Sequence, residues 1–338
     1  TPDGLRTVEE LYHAQERGER ILVTTDIHGE HDHRRLTAHR PALVTSVGER
    51  AVYRMALRDG RVIRTTGDHR FLTDAGEWRR VDELAPGRDR IEIRESGNPV
   101  RFESSAEDAR RWRMLGWMTG DGVFSKNVAA LVFGPDERPT AETMTQEFGL
   151  LLAEARADEE TVDAVERRVR PGAILTNEGV MTAVSAKERV SLSIQDNGVL
   201  QVSSKAGALV RMLEDRYGMT QGTAIHKDVP AEVHRVADDL KVAYLQGLFS
   251  ADGSIWTADA GTEPQVMLAS SAPALLRSVQ LLLADLGITS RATWTHPEGR
   301  ANPQGQLHIF NQAARTFMTL IGFPASPAKQ AKVDAALG

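Results

Sequence analysis

Two aspartates that close the same phrase carry the clearest chemistry in this sequence. "MLGWMTGDG" at 114–122 and "LQGLFSADG" at 245–253 share a nine-residue frame: glycine third, an apolar pair, two small residues, then Asp-Gly. A lone Asp-Gly is ordinarily just a helix stop. Two copies in one frame, each closing an apolar run, ask for more. If Asp121 and Asp252 are brought side by side, their like charges need a cation, and carboxylate oxygens are natural ligands for Mg²⁺ or the similar Mn²⁺. A symmetric pair of metal-bound carboxylates facing a groove suits hydrolysis of phosphodiesters on both strands of a duplex.

Such a pair has to be positioned by two helices. "AEDARRWRMLGWMTGDG" and "VADDLKVAYLQGLFSADG" read as helices, with Gly116 and Gly247 small enough to let two backbones approach. Ser104 with Glu107 has capping-box spacing, which predicts a helix start there. Gly122 and Gly253 are expected in the left-handed conformation that stops a helix. Each phrase is followed by strand-like pieces and a helix-like run, among them "SLSIQDNGVLQVSSKAGALVRMLEDRYG" and "VMLASSAPALLRSVQLLLADLGI". The repeat therefore predicts a pair of half-domains related by a pseudo-twofold axis, not a solenoid. The first hundred residues differ in texture. "ILVTT", "ALVTSVGE", "AVYRMALRDGRVIRTTGDHRFLT" and "DRIEIRE" predict a compact all-β unit, with a hairpin turn at Asp59-Gly60. "ESGNPVRFESSAED" reads as a linker into the first motif helix.

Length and composition bound these readings. The 338 residues, 41% hydrophobic and 26% charged, suffice for about two domains. No apolar run spans a bilayer, and the opening residues lack the basic-then-apolar pattern of a signal peptide, so an intracellular, cytoplasmic monomer away from membranes is expected. The absence of cysteine excludes disulfides, thiolate zinc sites and a Cys nucleophile within these residues. The net charge of −6 runs against nucleic-acid binding, which draws its affinity from Lys and Arg at phosphates.

The two phrases resemble the paired LAGLIDADG motifs of single-chain homing endonucleases. The departures are Trp117, Thr119 and Gly120 in the first and Ser250 in the second. The resemblance implies that the motif helices form the interface between half-domains and that antiparallel sheets make a saddle on double-stranded DNA. It implies too that Asp121 and Asp252 bind the catalytic divalent metal. "IHKDVPAEV" at 225–233 resembles the lysine-and-proline block before the second motif of intein-borne endonucleases, which implies an active-site role for Lys227. A solvated lysine beside Pro230 is the alternative. "IGFPASPAKQAKV" resembles the later block, giving Lys329 as its symmetry mate, with Lys332 as the alternative.

"RTTGDHRFLTDAGEWRRVDELAPGRDRI" at 64–91 resembles the Thr-x-x-His block of intein splicing (HINT) domains. Thr66 and His69 then take the places that polarise the peptide bond at the N-terminal splice junction. Together the resemblances imply a multidomain chain, a partial all-β HINT-type splicing domain plus an α+β LAGLIDADG endonuclease domain with two pseudo-symmetric halves. The expected boundaries are 1–97 for the β unit, 98–113 for the linker and helix start, and 114–335 for the endonuclease, with halves of about 114–226 and 227–335. The implied activity is a metal-dependent double-strand cut at the intein insertion site of an intein-less host gene.

The usual intein first residue, Cys or Ser, and the closing His-Asn are not recognisable at the two ends. The chain as written is therefore expected not to splice alone, and a C-terminal intein segment supplied in trans is an expected partner. Two rivals stand beside this reading: a splicing-domain fragment whose endonuclease has decayed into a non-cleaving spacer, and a free-standing endonuclease or maturase. Lesser features remain. "DIHGEHDH" places His28, His31 and His33 with Asp26, Glu30 and Asp32 in metal-binding company, though a solvated loop explains it as well. "EARADEETVDAVERRVR" reads as an exposed mixed-charge helix. Lys205, Arg291 and Arg300 are candidates for a basic saddle that the net charge conceals.

Overall fold

The computed structural model describes residues 1–27, 36–93, 100–169, 189–220, 224–256, 263–296 and 302–338. Its N-terminal part begins with helix α1 (Val8–Glu16), followed by three separate antiparallel ladders: β1 (Leu22–Ile27) with β2 (Leu36–Pro41), β3 (Val52–Ala56) with β4 (Val62–Thr66), and β5 (Arg70–Leu72) with β6 (Trp78–Arg80). The expected all-β unit thus carries a helix. Its cause is local: the Thr7 hydroxyl accepts from the Glu10 amide at 3.1 Å, and the Glu10 carboxylate accepts from the Thr7 amide at 2.7 Å. Two runs expected as strands are not. Residues 42–51 are irregular, and the described part of "DRIEIRE", residues 89–93, contributes only an isolated bridge between Thr73 and Ile91. The Asp59-Gly60 turn forms as expected, with Gly60 at φ +88°.

The remainder is α+β and internally repeated. The first half runs α2 (Ala106–Asp121), β7 (Gly122–Ser125), β8 (Val128–Phe133), α3 (Arg138–Val169), β9 (Ser191–Ile194), β10 (Leu200–Ser204) and α4 (Gly207–Asp215). The second runs α5 (Asp238–Asp252), β11 (Gly253–Trp256), β12 (Gln265–Ser270), α6 (Pro273–Asp285), β13 (Arg291–Thr295), β14 (Gln304–Phe310), α7 (Asn311–Leu320) and α8 (Pro327–Leu337). Each half holds an antiparallel sheet of the same order, β7-β8-β10-β9 and β11-β12-β14-β13. The mixed-charge run from 154 to 169 is the far part of α3, and residue 170 lies outside the described residues.

Alternation along the strands explains how the sheets pack. Ile255, Val266, Leu268, Leu307 and Ile309 are buried under one face of the second sheet. In the first, Leu131, Phe133, Leu200 and Val202 do the same, and Trp117 stacks on Phe133 at 4.9 Å while donating its indole N–H to the Val132 carbonyl at 2.9 Å. Phe249, Phe317 and Phe323 cluster in the second half. One contiguous core joins the halves through α2 and α5. No helix among the described residues is long and apolar enough to cross a membrane.

Both helix-end expectations need correction. The α2 cap is Ser105, which accepts from the Asp108 amide at 3.0 Å. Ser104 serves another purpose: its amide and hydroxyl donate to the Asp239 carboxylate at 2.7 and 2.8 Å, tying the start of α2 to the first turn of α5. Gly122 and Gly253 are extended, at φ −121° and −75°, because each helix passes directly into a strand. Glycine is needed there for space, since a Cβ would stand 2.2 Å from the Met118 carbonyl oxygen at Gly122 and 2.5 Å from that of Phe249 at Gly253.

Candidate active site at the paired helix ends

Helices α2 and α5 meet along their small residues. A Cβ on Gly116 would lie 1.9 Å from the Tyr244 carbonyl oxygen, and one on Gly247 would lie 1.8 Å from that of Arg113. The same separation of 131 positions relates Arg113 to Tyr244, Gly116 to Gly247 and Asp121 to Asp252, so the contact is reciprocal in the manner of a twofold. Polar bonds fix the register. Tyr244 donates to the Thr119 hydroxyl at 2.9 Å, Thr119 donates to the Leu115 carbonyl at 3.0 Å, and Arg113 donates to the Gln246 side-chain oxygen at 2.7 and 3.0 Å. These cross-helix partners were not singled out in the sequence, because nothing local pairs residues more than a hundred positions apart.

The packing carries both helices to one end. There the Asp121 and Asp252 carboxyl groups are in hydrogen-bonding contact, Asp121 exposed and Asp252 partly buried. Burial first, and then the Asp121 charge, push the Asp252 carboxyl up to about 6, against the opposing pull of Lys227. A Cβ on Gly120 would stand 2.9 Å from the Ala251 Cβ and 3.3 Å from an Asp252 carboxylate oxygen, so a larger residue at position 120 would wedge the acids apart.

Each acid has a lysine at its back. Lys227 donates to the carbonyl of Gly120, the residue before Asp121. Lys329 donates to the carbonyls of Ser250 and Ala251, the residues before Asp252, at 2.6 and 2.7 Å. Burial lowers the Lys329 ammonium below the usual lysine range, against Glu137, Asp121 and Asp252, which hold it up. Lys332, one helical turn farther along α8, is exposed. A cavity of about 40 Å³ between Lys227, Asp228, Thr119 and Gly122 leaves room for water beside the first lysine.

The donor set suits a hard cation of the Mg²⁺ type. Such ions commonly bind one or two carboxylates, keep several waters and complete their shell with substrate phosphate oxygens. Two carboxyls forced together, one holding its proton unusually late, could contribute the protein's share of such a shell. Among the described residues no group of three or more His, Asp or Glu side chains is arranged to hold a metal. Of the "DIHGEHDH" set, residues 28–33 lie outside the described residues, as does Arg300.

Thr66 and His69 sit elsewhere, in the turn after β4. Thr66 is hydrogen-bonded to the Asp68 carboxylate, the His69 amide donates to the Thr66 carbonyl at 3.2 Å, and the exposed His69 ring lies 5.0 Å from that of Phe71. Arg291 is exposed on β13 and Lys205 is exposed just after β10.

Comparison with known proteins locates one family signature. Residues 239–322, from the first turn of α5 to two residues past the end of α7, match the family described as a LAGLIDADG-like domain. Three replicative DNA helicases, each a DnaB, align with much of the chain. That of Synechocystis is 25% identical over 89% of this chain and 31% of its own length. That of Rhodothermus marinus is 28% identical over 76% and 24%, and that of Nostoc is 26% identical over 78% and 27%. The chain therefore spans under a third of the length of these relatives. Among solved structures, a mesophilic variant of the homing endonuclease I-DmoI is 13% identical, covers 68% of this chain and 98% of its own, and has a TM-score of 0.37. The N-terminal LAGLIDADG domain of DUF199/WhiA is 10% identical, covers 69% and 90%, and has a TM-score of 0.33.

Proposed function

We propose that this chain is a site-specific, metal-dependent DNA endonuclease of the LAGLIDADG type, joined to part of a protein-splicing unit. The observation that carries the reading is the reciprocal contact of α2 and α5, which puts Asp121 and Asp252 together and sets a lysine behind each. The LAGLIDADG-like match over 239–322 supports it for the second half. Mg²⁺ or Mn²⁺ held by the two carboxylates would supply Lewis-acid stabilisation of the charge that develops on the scissile phosphate. The chain's own residues do the rest. Asp121 and Asp252 would hold the cation between the two strands, since a bare carboxylate repels a phosphate, while Lys227 and Lys329 place positive charge and hydrogen-bond donors where a water attacks. The shared core of the halves keeps the two centres at one fixed spacing.

The match to under a third of three longer helicases is the pattern expected of a segment inserted within a host protein. The helicases' own activity is not assigned to this chain. No Gly-Lys dipeptide occurs in the sequence, so it lacks the Gly-x4-Gly-Lys phosphate loop on which nucleotide hydrolysis of the P-loop kind depends. For the splicing unit the support is Thr66 and His69 in one turn, together with three short ladders, each two-stranded. Isolated pairs of strands are marginal by themselves, and exposed Val52, Val62 and Trp78 leave apolar surface for further strands such as a C-terminal segment.

One observation favours the rival reading of a non-cleaving spacer. The solvent side of the first sheet presents Val132, Ser191, Ser193, Gln201 and Ser203, with no Lys or Arg on its described strands. The test is incubation of the chain with a duplex spanning the host-gene site, restored by deleting this chain's coding segment, in Mg²⁺ at low salt. A double-strand cut with a short stagger, abolished by a chelator, is expected. Absence of binding at every salt concentration would establish the spacer.

A further inference from the structure

The β3–β4 hairpin is built in a way that splicing chemistry does not explain. Its strands pair so that Arg54 stands directly opposite Arg64, and cross-strand partners leave the same face of a ladder. Both are exposed, as is Arg58 at the turn. Like charges directly opposite each other destabilise a ladder, and here nothing offsets them: none of the three has a carboxylate partner among the described residues. Most of their neighbours do: Arg50, Arg61, Arg79, Arg80 and Arg88 are paired with Asp or Glu, while Arg70 and Arg90 share the unpaired state among the described residues. In a chain of net charge −6, three arginines left bare on one hairpin are not an effect of composition.

The hairpin is also fixed in place. At its tip the Asp59 carbonyl accepts from the Ala292 amide at 2.9 Å, on the outer edge of β13, and from the Gln280 side chain at 3.0 Å. Gln280 is 2% exposed and donates to the Ser290 carbonyl at 3.1 Å as well, so it is committed to this joint. Gly60 fits because a Cβ there would come within 2.3 Å of the Ala292 carbonyl oxygen. Beside the joint, Arg291 projects from the exposed face of the second sheet, and with Arg54 and Arg58 it borders one open concavity of about 1230 Å³. Three aspartates on its wall are already neutralised, Asp59 by Arg61, Asp82 by Arg80, and Asp89 by Arg79 and Arg88.

We propose that the β3–β4 hairpin is a fixed cationic arm, which takes the phosphate backbone of duplex DNA flanking the stretch held by the two sheets. Arg54, Arg58 and Arg64 make the contacts, and Arg291 links the arm to the second sheet. Arginine suits the role, since its planar guanidinium donates to phosphate in pairs. The inference rests on the DNA-binding reading above and extends the footprint beyond the motif sheets onto the N-terminal unit.

The test is a salt titration of the full chain on a fluorescein-labelled, mixed-sequence 40-base-pair duplex, with chelator present to prevent cleavage. Each lost phosphate contact flattens the plot of log K against log salt by about 0.9. Arg54→Gln with Arg64→Gln should therefore flatten it by about 1.8, and Arg54→Lys with Arg64→Lys should leave it unchanged. Both arginines are exposed and mutually repelling, so neither variant should lower the thermal midpoint. Wild type that binds the duplex while the Gln variant keeps the same slope and affinity would overturn the arm alone and leave the concavity to a protein segment. Wild type that binds no duplex at any salt would overturn both the arm and the reading on which it rests.

Discussion

Burial and the neighbouring Asp121 push the Asp252 carboxyl up to about 6, and a divalent cation taken up there would have to displace its proton. Metal affinity should accordingly fall as the pH drops through about 6 and level off above it. The linkage to stability has the opposite sign from a salt-bridged aspartate. A carboxyl whose folded value lies above its unfolded value, roughly 4, holds its proton more tightly when folded. Its contribution is present at low pH and is lost as the pH rises from about 4 to about 6. At pH 7.5 in chelator the ionised pair is therefore a liability, and Asp252→Asn should raise the thermal midpoint by about 2–4 °C while removing the stabilisation given by added Mg²⁺. A thermal-shift series with and without Mg²⁺ reads both effects. A lower midpoint for the variant in chelator would mean that the acids are held by something other than mutual repulsion. The meeting of the two acids, with Lys227 beside them, was legible in the sequence because motif and block stand in fixed frames. The choice between Lys329 and Lys332 was not, since both occupy one short helix and only its docking decides which ammonium reaches the Ala251 carbonyl.

The motif helices were legible for a related reason: apolar runs broken by single glycines mark places where backbones touch. Their ends were not. Ser104 and Ser105 are equally good caps by type, and the preference for Ser105 follows from Asp239, 135 residues away, taking Ser104. Likewise Gly122 and Gly253 looked like left-handed stops, but direct continuation into β7 and β11 made space, not conformation, the reason for glycine. The long-range joint of Asp59 with Ala292 and Gln280 left no local trace at all. If close approach of α2 and α5 is what aligns the acids, adding a methyl group at the crossing should be costly. Gly116→Ala forces a carbon against the Tyr244 carbonyl and should destabilise by about 3 kcal/mol, as overpacking of a tight interface does. Gly149→Ala in α3, where an added Cβ would meet nothing within 4 Å beyond the helix's own nearby backbone, should be neutral or stabilising by about 0.5–1 kcal/mol. Chemical denaturation of the two variants compares them directly, and equal stability would mean that the helices pack without the intimate contact described.

At the scale of the molecule, the two halves share an order of elements, a sheet order and a reciprocal crossing, yet they are not equal in charge. Neutral side chains dominate the exposed face of the first sheet, while Arg291 and the hairpin arginines gather on the side of the second. A sum of −6 for the whole chain conceals this division. The division predicts that affinity for a duplex comes mainly from the second half and the N-terminal unit, while cleavage of two strands still needs an acid from each half. The most direct test of that central claim is the product made from a supercoiled plasmid carrying the restored host-gene site in Mg²⁺. Wild type should yield linear DNA. Asp121→Asn and Asp252→Asn should each bind the plasmid as wild type does, and each should lose linear product by on the order of 100-fold or more, as removal of a group that stabilises developing charge does. Linear product formed at the wild-type rate by either variant would contradict the assignment of the paired acids as the cleavage centre.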